Sequence, residues 1–168
     1  MKRAVVFLGA MLLVAVLLPL HLAPPIAASA TRYSFNLIGP NTAEASSGDT
    51  IRVTGSGTFR AFNVGNSVVA SGSFTQFRAN GSVFARGTWQ ATAFNSFDAF
   101  GGPNPGTQGG VLEITVTLFP HGGAAVTGVP MSVTCLANKP AGFTEDEGTT
   151  VGEFTEKTGG QTLFHLQN

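Results

Sequence analysis

The chain has 168 residues with nine basic and nine acidic side chains, so it is formally neutral, and 11 % of its residues are charged against 43 % hydrophobic. A neutral, charge-poor chain offers no electrostatic footprint for nucleic acid, and 14 phenylalanines among 22 glycines suit a folded β protein better than a disordered one. Cys135 is the single cysteine, which excludes any intramolecular disulfide.

Met1-Lys2-Arg3 is basic, residues 4–20 are apolar, and residues 21–30 are rich in Pro and Ala and end in Ala28-Ser29-Ala30. These are the n-region, h-region and small-residue cleavage site of a secretory signal peptide. Cleavage is expected after Ala30, leaving 31–168 as one domain in an extracellular, periplasmic or cell-surface setting. An uncleaved membrane anchor is the rival reading. The apolar run is short of the ~20 residues a span needs, and Pro19, Pro24 and Pro25 crowd its end. Lys2 and Arg3 belong to this segment, so beyond it acids outnumber bases by two. That balance speaks against an electrostatic membrane patch as well as against nucleic acid.

A first strand is predicted over 33–38, ended by Gly39-Pro40. Three segments then echo one another: Gly57-Thr58-Phe59, Gly72-Ser73-Phe74 and Gly87-Thr88-Trp89. Asn80-Gly81 is a strong hairpin signal and Gly65-Asn66 a second one, so the echo reads as a meander and not as a solenoid repeat. If both are two-residue turns, Phe59 faces Gly72, Gly72 faces Trp89, Gly57 faces Phe74, and Phe74 faces Gly87. Each ring then lies across the bare backbone of a neighbouring glycine. The same register pairs Phe77 with Phe84.

Alternation assigns one face to the interior: Ile51, Val53, Gly55, Gly57, Phe59 and Ala61, then Val68, Ala70, Gly72 and Phe74, then Val83, Ala85, Gly87, Trp89, Ala91 and Ala93. The opposite face is polar, with a hydroxyl row at Thr58, Ser73 and Thr88. Phe62, Phe77, Phe84 and Phe94 break this alternation near the strand ends.

Residues 98–110 are rich in Gly and Pro and read as a loop. Residues 111–119 place Leu112, Ile114, Val116 and Leu118 on one face. A strand over 131–136 is bounded by Pro130 and Pro140, and it makes Cys135 a small buried hydrophobe. Residues 140–150 hold Glu145-Asp146-Glu147 and read as a loop. The last hairpin is expected over 151–156 and 161–166 around Thr158-Gly159-Gly160. The fold class is therefore all-β, a single antiparallel, mostly up-and-down barrel of about eight strands. A two-sheet sandwich is the alternative.

The strand rhythm and the Gly-x-Phe/Trp spacing from Gly57 to Trp89 resemble small secreted barrels of the avidin-like, lipocalin-like, or allene oxide cyclase and dirigent kind. The lipocalin Gly-x-Trp near the mature N-terminus is absent, and one tryptophan is fewer than avidin-like ligand sites carry. The resemblance implies a shape and carries over no catalytic residue.

The sequence assigns no catalytic residue, metal or cofactor. His121 lies in a turn and His165 in the last strand, without ligand-spaced partners. Glu145-Asp146-Glu147 lacks the spacing of an EF-hand loop, and no serine sits in a nucleophile elbow. Asn80-Gly81-Ser82 matches a glycosylation acceptor, but the turn already accounts for Asn-Gly.

Three functional readings follow. One is a binding module in which Phe59, Phe74 and Trp89 line a site for a small apolar ligand; the same rings equally account for a lumen filled by side chains. Another is an extracellular interaction protein acting on a second protein through exposed phenylalanines. The third is a cyclase- or isomerase-type barrel enzyme without a nucleophile, which calls for an inward Arg, Glu or Tyr, with Glu113 and Tyr33 as the residues to locate.

Overall fold

The computed structural model describes residues 31–61, 67–102 and 106–167. The expected leader, Phe62 and the expected turn at Gly65-Asn66 lie outside these residues. Eight strands form: β1 (Thr31–Glu44), β2 (Thr50–Ala61), β3 (Ser67–Phe77), β4 (Val83–Gly101), β5 (Thr107–Pro120), β6 (Val126–Cys135), β7 (Gly148–Val151) and β8 (Glu156–Gln167). They make one antiparallel sheet in the order β4-β3-β2-β1-β8-β5-β6-β7, and an added β4–β5 pairing closes a hydrogen-bonded ring through β1, β2, β3, β4, β5 and β8. This is the near-closed barrel that the meander pattern predicts.

The expected interior face holds for most of β2, β3 and β4. Ile51, Val53, Phe59, Ala61, Ala70, Phe74 and Trp89 are all buried. The β3–β4 register is also as expected, with Gly72 opposite Trp89 and Phe74 opposite Gly87. The β2–β3 register is displaced by four residues: Phe59 faces Val68, Gly57 faces Ala70, Gly55 faces Gly72, and Val53 faces Phe74. Arg60–Ser67 is the last pair, so the register does not centre on Gly65-Asn66. An even displacement leaves every side chain on its own face, which is why burial is right where pairing is not. The outer hydroxyl row accordingly starts at Thr54, whose Oγ1 lies 2.8 Å from Ser73 Oγ.

The Asn80-Gly81 hairpin also differs in detail. Only Gly81 has positive φ, at 82°. Its N–H donates to the Arg78 carbonyl, and Arg78 N–H donates to that of Ser82. This is the longer turn with a left-handed glycine, and it shifts the register so that Phe77 meets Val83 and not Phe84. Val83 is consequently exposed.

Irregular pairing explains the other departures. β4 does not stop before 98 but runs to Gly101, with shifts between Ala91 and Ala93 and between Phe94 and Ser96. Each bulge inserts an unpaired residue and turns the strand. Ala93 is therefore exposed, while Phe94 comes in against the Phe59 ring at 6.0 Å. β1 continues past Gly39-Pro40 through a bulge to Glu44. Thr158-Gly159-Gly160 is not a hairpin turn. It lies within β8 where the pairing with β1 slips, Gly159 opposite Thr42 and Lys157 opposite Ala43, and β7 pairs with β6 instead. Pro130 lies inside β6, opposite Thr115.

The core has two aromatic assemblies. Phe59 is the hub of the first, with ring centroids of Phe97, Tyr33, Phe164 and Phe35 at 4.8, 5.1, 5.9 and 6.4 Å. Each such pair contributes about 0.5–1.5 kcal/mol beyond its buried area. Trp89 forms the second. Its indole crosses Gly72 on β3 and reaches β2, where Nε1–H donates to the Thr54 carbonyl at 2.9 Å. A Cβ on Gly55 would collide with Cζ2 of that indole, and one on Gly72 would sit 2.6 Å from Nε1.

Candidate functional site

The three rings expected to line a ligand site all point inward and are buried. Phe59 is enclosed by other rings, Trp89 lies in the trough of Gly55 and Gly72, and Phe74 sits between Val53 and Gly87. These rings spend their faces on protein contacts. Tyr33 stacks on Phe59, and burial pushes its hydroxyl above the ordinary tyrosine range.

An apolar concavity of about 260 Å³ opens at one barrel mouth. It is built from strand ends that the meander delivers to the same level: Ile51 begins β2, Leu118 ends β5, and Val126 and Val129 begin β6. Val151 ends β7, and Phe154 folds back over it in a turn held by Phe154 N–H to the Val151 carbonyl at 3.0 Å. Gln76 and Glu153 are the polar side chains in the lining. By register, Val53 and Phe74 form the next inward pair below Ile51 and Gln76. Alternation alone does not reveal this site, because no single strand supplies it.

A polar cleft of about 460 Å³ lies on the outer side of β5, β6 and β7, with Glu113, Ser132, Glu145, Glu156 and Lys157 in its lining. Glu113 pairs with Ser132 across the strands and faces away from the interior that Leu112 and Ile114 fill. Burial pushes its carboxyl above the usual carboxylate range; the Ser132 hydroxyl and the Lys157 charge oppose the shift, and the Glu145 and Asp98 charges add to it.

Next to this cleft, side chains do what a ladder does elsewhere. Lys157 Nζ donates to Thr134 Oγ1 at 2.7 Å and meets Glu145 at 3.1 Å. Glu147 accepts the Thr162 N–H, and buried Thr149 donates to buried Asn41, which in turn donates to the Gln161 carbonyl. Two members of the acidic triplet are thus tied into the fold. His121 is exposed in the β5–β6 turn and His165 on the outside of β8. Among the described residues no group of three His, Cys, Asp or Glu side chains converges on a metal position.

Comparison with family models, curated proteins and solved structures found no match to this chain.

Proposed function

We propose that the protein is an exported binding module and that the barrel mouth is its binding site, taking a small apolar group. The observation that carries this reading is the convergence of Ile51, Leu118, Val129, Val151 and Phe154 on one concavity. Concave, mostly apolar sites with a few placed polar groups are the usual form of small-molecule sites. Gln76 and Glu153 supply those polar groups. At ~30 Å³ per water, the volume is that of roughly nine waters. This suits a single ring or a short chain better than a large ligand. The leader reading places such a module outside the cytoplasm.

Methyl-detected NMR titration with small aromatic and short aliphatic compounds tests the reading. Saturable shifts are expected at Val126, Val129, Val151 and Leu118, and filling the site with Val129→Phe should abolish them. Trp89 stands opposite Leu118 of the lining across β4 and β5, so its fluorescence gives a second readout of occupancy. The reading fails if no compound in the panel gives saturable shifts at these methyls.

A further inference from the structure

One charged side chain, Glu153, stands in the lining of the mouth. Among the described residues it has no ion-pair partner, since the ion pair they contain joins Lys157 to Glu145. Building on the binding role of this mouth, we propose that its ligand is an organic cation. It has an apolar body of one ring or a short chain and ends in an ammonium group that meets Glu153.

The chain holds Glu153 on the rim. Residues 151–154 form a turn closed at both ends, with Val151 N–H donating to the Phe154 carbonyl at 3.1 Å and Phe154 N–H to that of Val151 at 3.0 Å. Gly152 N–H donates to the Pro130 carbonyl at 2.8 Å and ties the turn to the β6 strand. Gly152 takes the positive φ of 58° that this turn needs, and Phe154 is buried in the core. The backbone under the carboxylate is therefore fixed, while Glu153 itself stays exposed. On the strand side of the lining, half-buried Gln76 faces Ile51 across β2 and β3. Its carboxamide oxygen is a second acceptor for an ammonium, which has three N–H donors to place.

The arginines at this end do not cancel that charge within the cup. Arg52 follows inward Ile51 on β2 and so points outward, and its guanidinium lies 4.9 Å from the Phe77 ring centroid. The Arg78 guanidinium lies 4.5 Å from the centroid of Phe84, an exposed ring. Arg86 stands opposite Thr75 in the outward row and lines a separate groove with His121. Outside the wall these cations are matched by Asp49, which accepts the Ala79 N–H, and by Glu44 and Glu156, which face each other across β1 and β8. Charges of both signs offset one another around the rim, and Glu153 sets the sign inside it. Apolar walls lower the local dielectric, which strengthens its pull on an ammonium and penalises a carboxylate ligand.

Benzylamine, benzyl alcohol and benzoate separate charge from shape, because they share one ring and differ in the charge of its substituent at neutral pH. In methyl-detected NMR titrations of the full chain at low salt, benzylamine should bind about fivefold more tightly than benzyl alcohol, with benzoate weakest. The lead of the amine should shrink as salt rises. Glu153→Gln should bring amine and alcohol to similar affinity, whereas Glu156→Gln, outside the wall, should keep the amine ahead. Both variants change exposed side chains, and unchanged near-UV dichroism of Trp89 certifies their fold. Saturable binding of the alcohol with no lead for the amine overturns the cationic assignment and leaves the mouth a site for neutral compounds. A lead that survives Glu153→Gln, or that disappears with Glu156→Gln, overturns it too. Failure of all three compounds to bind also overturns it, and the wider apolar panel then shows whether the mouth is a site at all.

Discussion

Trp89 shows how far one side chain can set its neighbours. Its indole needs two bare backbone positions, and glycines stand at both, Gly72 on the adjacent strand and Gly55 beyond it. Gly72→Ala should therefore cost about 3 kcal/mol or more, because the new Cβ meets both the Thr54 carbonyl oxygen and the indole. Urea unfolding followed by tryptophan fluorescence would read this loss, and an unchanged midpoint would contradict the trough. Glu113 makes the opposite kind of prediction. Its folded pKa is raised, chiefly by burial, so the folded state holds the proton more tightly than the unfolded chain does. Its contribution to stability is then greatest below the ordinary carboxylate pKa and is lost as pH rises through the raised value. Glu113→Gln, which keeps an acceptor for Ser132, should stabilise the protein at neutral pH and leave it little changed in acid. Thermal melts across that range would show the two curves converging as pH falls. Cross-strand glycine opposite Trp89 was legible in the sequence because turn and alternation agree on β3 and β4. The raised Glu113 was not, since its burial depends on the distant residues 144–146 and 155–157.

At the level of elements, the barrel is closed in two different ways. Along most of the ring, ladders join neighbours. β5 meets β8 only at Thr107–His165 and Gln108–Phe164, after which β6 takes over that edge of β5. β6 and β7 then fill the widening gap, and β7 has a ladder only to β6. The remaining join rests on Asn41, Thr149, Thr162, Thr134 and Lys157. A buried polar network of this kind holds well only when every member is satisfied. Asn41→Ala should strand the Thr149 hydroxyl and the Gln161 carbonyl, at a cost of about 1–3 kcal/mol for each group left unpaired. Hydrogen exchange gives a sharper reading than global stability. Amides of β7 and of Gln161–Thr162 should exchange faster in the variant through local opening, while those of β2 and β3 follow global unfolding. Uniform acceleration everywhere would mean that the seam is not a separate unit. The closed barrel was legible in the meander, but this polar seam was not. The bulges in β1 and β8 that set it up leave apolar alternation almost intact on each side, and Gly159-Gly160 reads locally as a turn.

The whole molecule brings its described chain ends together, since β1 and β8 run side by side with Arg32 opposite Gln167. Paired Cα atoms in such a ladder are about 4.5–5.5 Å apart, so a short glycine-serine link can join Gln167 to Thr31 without moving either strand. The topology then separates two cuts that the amino-acid pattern treats alike. Asn80-Gly81 is an exposed turn whose opening sacrifices the hydrogen bonds between Arg78, Gly81 and Ser82, a loss of about 1–3 kcal/mol. A permuted chain beginning at Gly81 should fold cooperatively and keep the near-UV signature of Trp89. Thr158-Gly159-Gly160 looks equally like a turn in sequence, yet Gly160 packs against Asn41 and Gly159 faces Thr42 within β8. A permuted chain opened between Gly159 and Gly160 keeps residues 161–167, which pair with both β1 and β5, but severs residues 156–159 from them and opens the seam at Asn41. It should lose cooperative unfolding. If instead it folds as well as the first, β8 is two independent strands around a true turn, and the seam at Asn41 has to be redrawn.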